Sequence, residues 1–101
     1  DFYDVIISGS HSPHPVDPNP IIENGNIRLT YVGNFGDYQS FDIVTANSAD
    51  GIHFSEDAVI FSGFVFDPDL FFDDVNNEWI LFLNDGDRHL KKATSTSSTS
   101  V

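Results

Sequence analysis

The chain has 101 residues, enough for one small domain, and 40% of them are hydrophobic. Asp and Glu number 16 against four Lys and Arg, and the formal charge of -12 argues against a nucleic-acid partner, because phosphate binding needs a basic surface. No apolar run reaches about 18 residues, so no membrane span is predicted. The absence of Cys excludes disulfides, thiolate metal sites and cysteine nucleophiles.

The first part of the chain is predicted to consist of short strands joined by turns. An opening strand over residues 2–9 precedes a proline-rich loop, and a first repeat unit follows over residues 16–63. Asn24-Gly25 and Asp50-Gly51 are typical hairpin turns. No stretch has the 3.6-residue period of a helix, so the fold class is predicted to be all-β.

The remaining part repeats this order over residues 64–101 with three strands, at residues 65–72, 78–84 and 89–95. Its last residues are rich in Ser and Thr and form either a frayed end or a further strand with alternating hydroxyls. The second unit therefore lacks a fourth strand of its own.

The two units can be aligned residue by residue. Asp17-Pro18 precedes Asp67-Pro68 by 50 positions, and Leu29 and Tyr31 are matched to Ile80 and Phe82 at a distance of 51. A period near 50 with four antiparallel strands per unit is typical of β-propeller blades. The opening strand resembles the fourth strand of the first unit, which indicates two four-stranded blades permuted by one strand. It is expected to complete the second blade or to belong to a preceding one.

Three segments resemble a known superfamily, the five-bladed β-propeller glycosidases, which include arabinanases, β-xylosidases, invertases and levansucrases. They are Asp-Pro-Asp-Leu-Phe-Phe at 67–72, Glu-Trp-Ile-Leu-Phe-Leu at 78–83 and Ala-Asn-Ser-Ala-Asp-Gly-Ile-His-Phe at 46–54. The resemblance covers about residues 16 to 95, or two blades of five. It implies that the first strand of each blade lines a central channel and carries catalytic carboxylates near its start.

By this resemblance Asp17 and Asp67 are the candidate catalytic residues. Each is a candidate base, nucleophile or group that tunes a neighbour's pKa. Glycoside hydrolysis uses two carboxylates about 5 to 9.5 Å apart, one of them protonated. The competing interpretation is that the Asp of each Asp-Pro pair only caps a turn by accepting hydrogen bonds from backbone amides.

Four further residues are candidates for contacting a substrate. Asn19 and Asp69 follow the two Asp-Pro pairs on the same strands, His14 lies on the preceding loop, and Tyr38 lies on a loop from which its ring can stack on a sugar. The superfamily's general acid is a Glu from a third blade. None of the Glu residues matches that motif, so the chain by itself lacks a recognisable general acid; they are Glu23, Glu56 and Glu78.

Two functions follow. The chain is a carbohydrate-binding propeller module or part of a glycoside hydrolase assembled from several chains, or it is a non-catalytic self-assembling fragment. Two blades leave apolar faces and strand edges open, which favours self-association. A ring of three copies, with six blades, is the favoured assembly, and a twofold strand exchange is the alternative. No cofactor and no metal are expected.

Overall fold

The computed structural model describes residues 2–11, 14–34 and 41–100, and these form eight β-strands and no helix. The strands are β1 (Ile6–Ser8), β2 (Val16–Glu23), β3 (Asn26–Gly33), β4 (Phe41–Ser48), β5 (His53–Gly63), β6 (Phe66–Asp73), β7 (Glu78–Asn84) and β8 (Leu90–Ser95). Nothing in these residues forms a helix that could cross a membrane. The all-β prediction is confirmed.

The strands form two sheets that correspond to the two predicted repeat units. The first has the order β1-β5-β4-β3-β2 and the second the order β6-β7-β8. Neighbours are antiparallel except that β1 runs parallel to β5. The predicted hairpin at Asn24-Gly25 joins β2 to β3, and both residues have positive φ, 53° and 80°, as a two-residue primed turn requires.

The sheets pack face to face. The core between them contains Ile43 of β4 and four residues of the second sheet region, with Ile21, Ile60 and Trp79 packed around it; the four are Val65, Leu70, Leu81 and Leu83. β2 and β6 are the first strands of the two repeat units, and we call them the inner strands. They contact each other, and each is the terminal strand of its own sheet.

The other face of the first sheet carries a second apolar cluster of Tyr31, Val44, Ala46 and Phe54. It opens into a groove of about 430 Å3 whose walls include Val5, Ile7, Pro20, Leu29 and Phe54. This face is apolar although no strand of the described residues covers the groove. It therefore has the character of a second packing face, as expected for a blade inside a row of blades.

The opening strand differs from its predicted place. Only Ile6–Ser8 is a strand, and it pairs with β5 at the outer edge of the first sheet, so it does not complete the second blade. The sheets therefore have five and three strands instead of four and four. The pairing of β1 with β5 was not predicted. The opening strand resembles β5 in sequence, which indicated that it takes the equivalent place in another blade, whereas the structure places β1 beside β5.

The repeat register also differs by one residue from its predicted value. Asn19 pairs with Thr30, and Asp69 pairs with Phe82, so Thr30 corresponds to Phe82 at a distance of 52. Leu29 and Tyr31 therefore correspond to Leu81 and Leu83, not to Ile80 and Phe82. The turn after β6 is two residues longer than the Asn24-Gly25 turn, and an even difference keeps equivalent side chains on equivalent faces.

Candidate functional site at the start of the inner strands

Both inner strands begin with the same backbone irregularity. The pairing of β2 with β3 shifts between Val16 and Asn19, and the pairing of β6 with β7 shifts between Phe66 and Asp69. Within these bulges Asp17 and Asp67 have φ of 55° and 52°, values that Asp tolerates better than most residues. A bulge re-aims side chains near a strand end, so each Asp is taken out of the regular ladder.

The two bulges meet across the junction of the sheets. The backbone N–H of Asp67 donates to Oδ2 of Asp17 at 3.3 Å. Two residues further along, Nδ2 of Asn19 donates to Oδ1 of Asp69 at 3.2 Å, and Oδ1 of Asn19 accepts from the backbone N–H of Leu70 at 2.9 Å. We call Asp17, Asn19, Asp67 and Asp69 the inner-strand cluster; residues from equivalent repeat positions thus contact one another.

The inner-strand cluster is acidic and has no cationic partner among the described residues, where no ion pair includes Asp17, Asp67 or Asp69. Partial desolvation raises the pKa of Asp67, and the neighbouring charge and hydrogen bond of Asp17 raise it further. The Asp67 carboxyl in this arrangement holds a proton more readily than an isolated one. That is a property useful for acid–base chemistry or for hydrogen bonding to hydroxyls.

A groove of about 640 Å3 opens beside the residue that precedes Asp67. Its walls combine aromatic rings with carboxylates: Phe61, Phe64, Phe66, Asp85 and Asp87. The rings of Phe64 and Phe66 each contact Phe41, with centroids 5.2 Å apart in both pairs. Exposed rings next to carboxylate acceptors offer both apolar contact and hydrogen bonds to a polar ligand.

The remaining sequence candidates do not join this cluster through any described contact. His14 is exposed, with φ of 53°, on the connection between β1 and β2. Tyr38 lies outside the described residues. Glu78 pairs with Asp73 at the far end of β6, while Glu23 and Glu56 are engaged in the two clusters that follow.

Sequence reasoning missed a histidine between two carboxylates. Nδ1 of His11 lies 2.5 Å from Oε1 of Glu56, its Nε2 lies 3.5 Å from Oδ2 of Asp42, and its backbone N–H donates to Oε2 of Glu56 at 2.9 Å. Gly33 makes room for it, since a Cβ there would come 2.5 Å from the carbonyl oxygen of His11. These contacts fasten the segment after β1 to β4 and β5.

Sequence reasoning also missed the charged cluster around Arg28. Its Nε donates to Glu23 at 2.9 Å and its Nη1 to Asp57 at 2.8 Å. Thr45 Oγ1 donates to Asp57 and Ser98 Oγ to Glu23, at 2.5 and 3.1 Å. Burial alone would lower the pKa of Arg28, but these carboxylates outweigh it and the pKa is raised. We call these five residues the Arg28 cluster.

No group of three or more His, Asp or Glu side chains within residues 2–11, 14–34 and 41–100 is placed to hold a metal ion.

Comparisons with known proteins identify the fold. No protein-family model matches the chain, and no curated protein matches it in sequence. Among solved structures, it is similar to the catalytic domain of the Coprinopsis cinerea GH62 α-L-arabinofuranosidase, with a TM-score of 0.74 and 16% identity over 95% of this chain and 32% of that one.

Two further structures agree. A glycosyl hydrolase from Bacteroides ovatus has a TM-score of 0.66 and 20% identity over 85% of this chain and 29% of its own. A structure from the GH130 family, described as containing mannoside phosphorylases and glycoside hydrolases that target β-1,2-mannosidic linkages in Candida mannan, has a TM-score of 0.67 and 19% identity over 85% and 30%.

The chain therefore spans about a third of the length of the structures it matches. Together with the two packed sheets and the repeated inner-strand bulge, these matches confirm the predicted fold: the chain has the fold of adjacent β-propeller blades, as they occur in these glycoside-hydrolase structures.

Proposed function

We propose that the chain is a carbohydrate-binding part of a glycoside-hydrolase-like propeller, in which Asp17 and Asp67 contact the sugar. The observation that carries this proposal is the acidic pair itself: two Asp residues at equivalent, positive-φ positions meet, with the Asp17 carboxylate on the Asp67 backbone N–H and no cation beside them among the described residues. Like charges brought together weaken a fold, and backbone strain of this kind gathers at functional sites. Turn capping alone does not require that they meet.

Asp69 and the adjoining aromatic groove extend the proposed site. Sugar hydroxyls donate to carboxylates, and the apolar face of a sugar ring packs against aromatic rings such as Phe64, which is 50% exposed. The structural neighbours act on arabinofuranosides and β-1,2-mannosides by their descriptions, so both classes are the ligands to test first. His14 and Tyr38 stay candidates for further contacts.

Binding is proposed for this chain, and catalysis only for a completed ring. Glu23 is bound to Arg28 and Glu56 to His11, while Glu78 lies at the opposite end of β6 from Asp67. No Glu of the described residues is thus free to serve as the general acid beside Asp17 and Asp67. Another blade would have to supply one.

Titration of the chain with arabino-oligosaccharides and β-1,2-manno-oligosaccharides by calorimetry tests the proposal. Asp17→Asn and Asp67→Asn should each weaken binding about tenfold or more, since each removes a charged acceptor. Asp74→Asn is the matched control, because Asp74 is an exposed acid in the β6–β7 turn. Wild-type protein that binds neither sugar, or amide variants that bind as well as wild type, would refute the proposal.

The apolar groove favours assembly as a second candidate function. A face lined by Val5, Ile7, Pro20, Leu29 and Phe54 is suited to packing against the sheet of a second copy of the chain. We expect three copies, giving six blades. Light scattering measures the mass directly: a trimer would support a ring, and a monomer across the micromolar range would rule it out.

A further inference from the structure

Asn19 joins two strands that share no sheet. Both ends of its side-chain amide are used: Oδ1 accepts from the Leu70 N–H at 2.9 Å, and Nδ2 donates to Asp69 at 3.2 Å. The third contact of this kind between the inner strands, from Asp67 N–H to Asp17, is longer at 3.3 Å. Asn19 therefore provides two side-chain hydrogen bonds from β2 to β6.

The anchoring point on β6 is rigid. Leu70 is fully buried in the core between the sheets, whereas Asp67 is exposed. A hydrogen bond to the Leu70 backbone therefore fixes the position of β6 along β2 at a point that packing already holds in place. Asp67 lies three residues before that point, and Asp17 two residues before Asn19.

The carboxyls of Asp17 and Asp67 repel each other when both are charged, so something must hold them together. Asp69 adds a third negative charge on the same side. Without the amide of Asn19, Leu70 N–H and Asp69 would lose their partner, and the start of β6 would be free to move away from β2.

We propose that Asn19 is the positioning residue of this site: by clamping β6 to β2 it sets the spacing of the Asp17 and Asp67 carboxyls. The purpose of that spacing rests on the proposed sugar-binding function, but the spacing itself is measurable without a sugar. Asn19 then acts through the two acids and not by contact with the ligand.

The experiment follows the side-chain carboxyl carbon of Asp67 by NMR during a pH titration of the full chain. Asp17→Asn removes the neighbouring charge and gives the reference midpoint for an uncoupled Asp67. In Asn19→Ala the titration midpoint of Asp67 should fall below the wild-type value. The fall should be at least half of the difference between wild type and Asp17→Asn. An unchanged midpoint in folded Asn19→Ala protein would overturn the proposal.

A double variant that exchanges the residues at positions 19 and 69 controls for a general loss of structure. In the double variant Asn19→Asp with Asp69→Asn, the carboxylate at position 19 still accepts from Leu70 N–H and the amide at position 69 donates to it, so both hydrogen bonds survive. The Asp67 midpoint should stay within half of that difference from the wild-type value, whereas Asn19→Asp alone opposes two carboxylates. A swap that behaves like Asn19→Ala would also refute the clamp.

Failure here and failure of the proposed function are distinguishable. Absence of sugar binding leaves the titration result standing, and a clamp that fails leaves sugar binding by Asp17 and Asp67 untouched.

Discussion

The two ends of β2 carry opposite arrangements of charge. At its end, Glu23 belongs to the Arg28 cluster, in which a cation with a 9% exposed side chain lies between two carboxylates and two hydroxyls complete the hydrogen bonds. At its start, Asp17 belongs to the inner-strand cluster, in which acidic residues meet and no described residue supplies a cation. Both clusters lie on the same strand.

Folding stability explains the Arg28 cluster but does not explain the inner-strand cluster. A buried charge must be paired and hydrogen-bonded, and the Arg28 cluster meets that requirement. The inner-strand cluster is more exposed and has no such pairing among the described residues, and the raised pKa of Asp67 means that its ionisation is opposed by the fold. Natural proteins accept such costs mainly at functional sites. Four predictions compare the two clusters, beginning with the largest effect.

Arg28→Ala should destabilise the chain most, by about 2 to 3 kcal/mol, because it leaves Glu23 and Asp57 without a cation; full burial would cost more, but Asp57 is partly exposed. Urea unfolding followed by circular dichroism measures the loss. Arg28→Lys should be intermediate, since one ammonium cannot make both contacts at the geometry of the guanidinium. A loss below about 1 kcal/mol for Arg28→Ala would mean that this cluster contributes no more than a surface ion pair.

Thr45→Val should cost about 1.5 kcal/mol, because Asp57 loses the hydroxyl that donates to it while the shape of the side chain is kept. Thr30 is the matched control. It faces Thr45 on the neighbouring strand, and its buried hydroxyl has no hydrogen-bond partner among the described residues. Thr30→Val should therefore leave the free energy of unfolding unchanged or raise it. Equal losses from the two substitutions would contradict the assignment of the Thr45 hydrogen bond.

Ser98→Ala should cost about 1 kcal/mol or less, since it removes one hydrogen bond to Glu23, which keeps Arg28. Ser98 is only 5% exposed, so the Ser/Thr-rich segment after β8 is held against the first sheet there. Thr96→Ala, at an exposed position whose side chain makes no hydrogen bond among the described residues, serves as the control. Hydrogen exchange at residues 96–100 should accelerate in the Ser98 variant and not in the control.

Asp67→Asn should have the smallest effect and the opposite sign, a gain of about 0.5 kcal/mol near pH 7, small because the group is exposed. An acid whose pKa is raised by folding lowers stability as the pH rises through that pKa, and the cost disappears below the unfolded value. The gain over wild type should therefore vanish in acid. Unfolding at several pH values measures it, with Asp74→Asn as control; a gain independent of pH would argue against coupling to Asp17.

The sequence predicted the blades well because their signals are local. Asn24-Gly25 fixed one hairpin, and alternation along Ile27 to Tyr31 fixed a strand. The structure brings Asp17 and Asp67 together, because the first strands of the two repeat units are neighbours. Leu29 was predicted to correspond to Ile80, whereas the structure matches it to Leu81. The error arose because the strand sequences alone do not show that the turn after β6 is longer than the turn after β2.

Contacts between distant segments were beyond sequence reasoning. His11 and Glu56 are separated by 45 positions, and nothing in either segment indicates the other. Arg28 did carry a signal. On a strand that packs on both faces, a residue between Ile27 and Leu29 is buried too, and a buried arginine requires carboxylates nearby. Which of the 16 acids supply them depends on the tertiary packing.

The prolines of the inner strands have a consequence of their own. β2 and β6 are the terminal strands of their sheets, and exposed sheet edges invite the addition of a further strand. Pro18, Pro20 and Pro68 remove backbone donors there, and the Asp-Pro bulges interrupt the regular spacing of the rest. The edges formed by β2 and β6 are thereby protected against the addition of a strand from another chain, and their carboxyls remain accessible to small polar molecules.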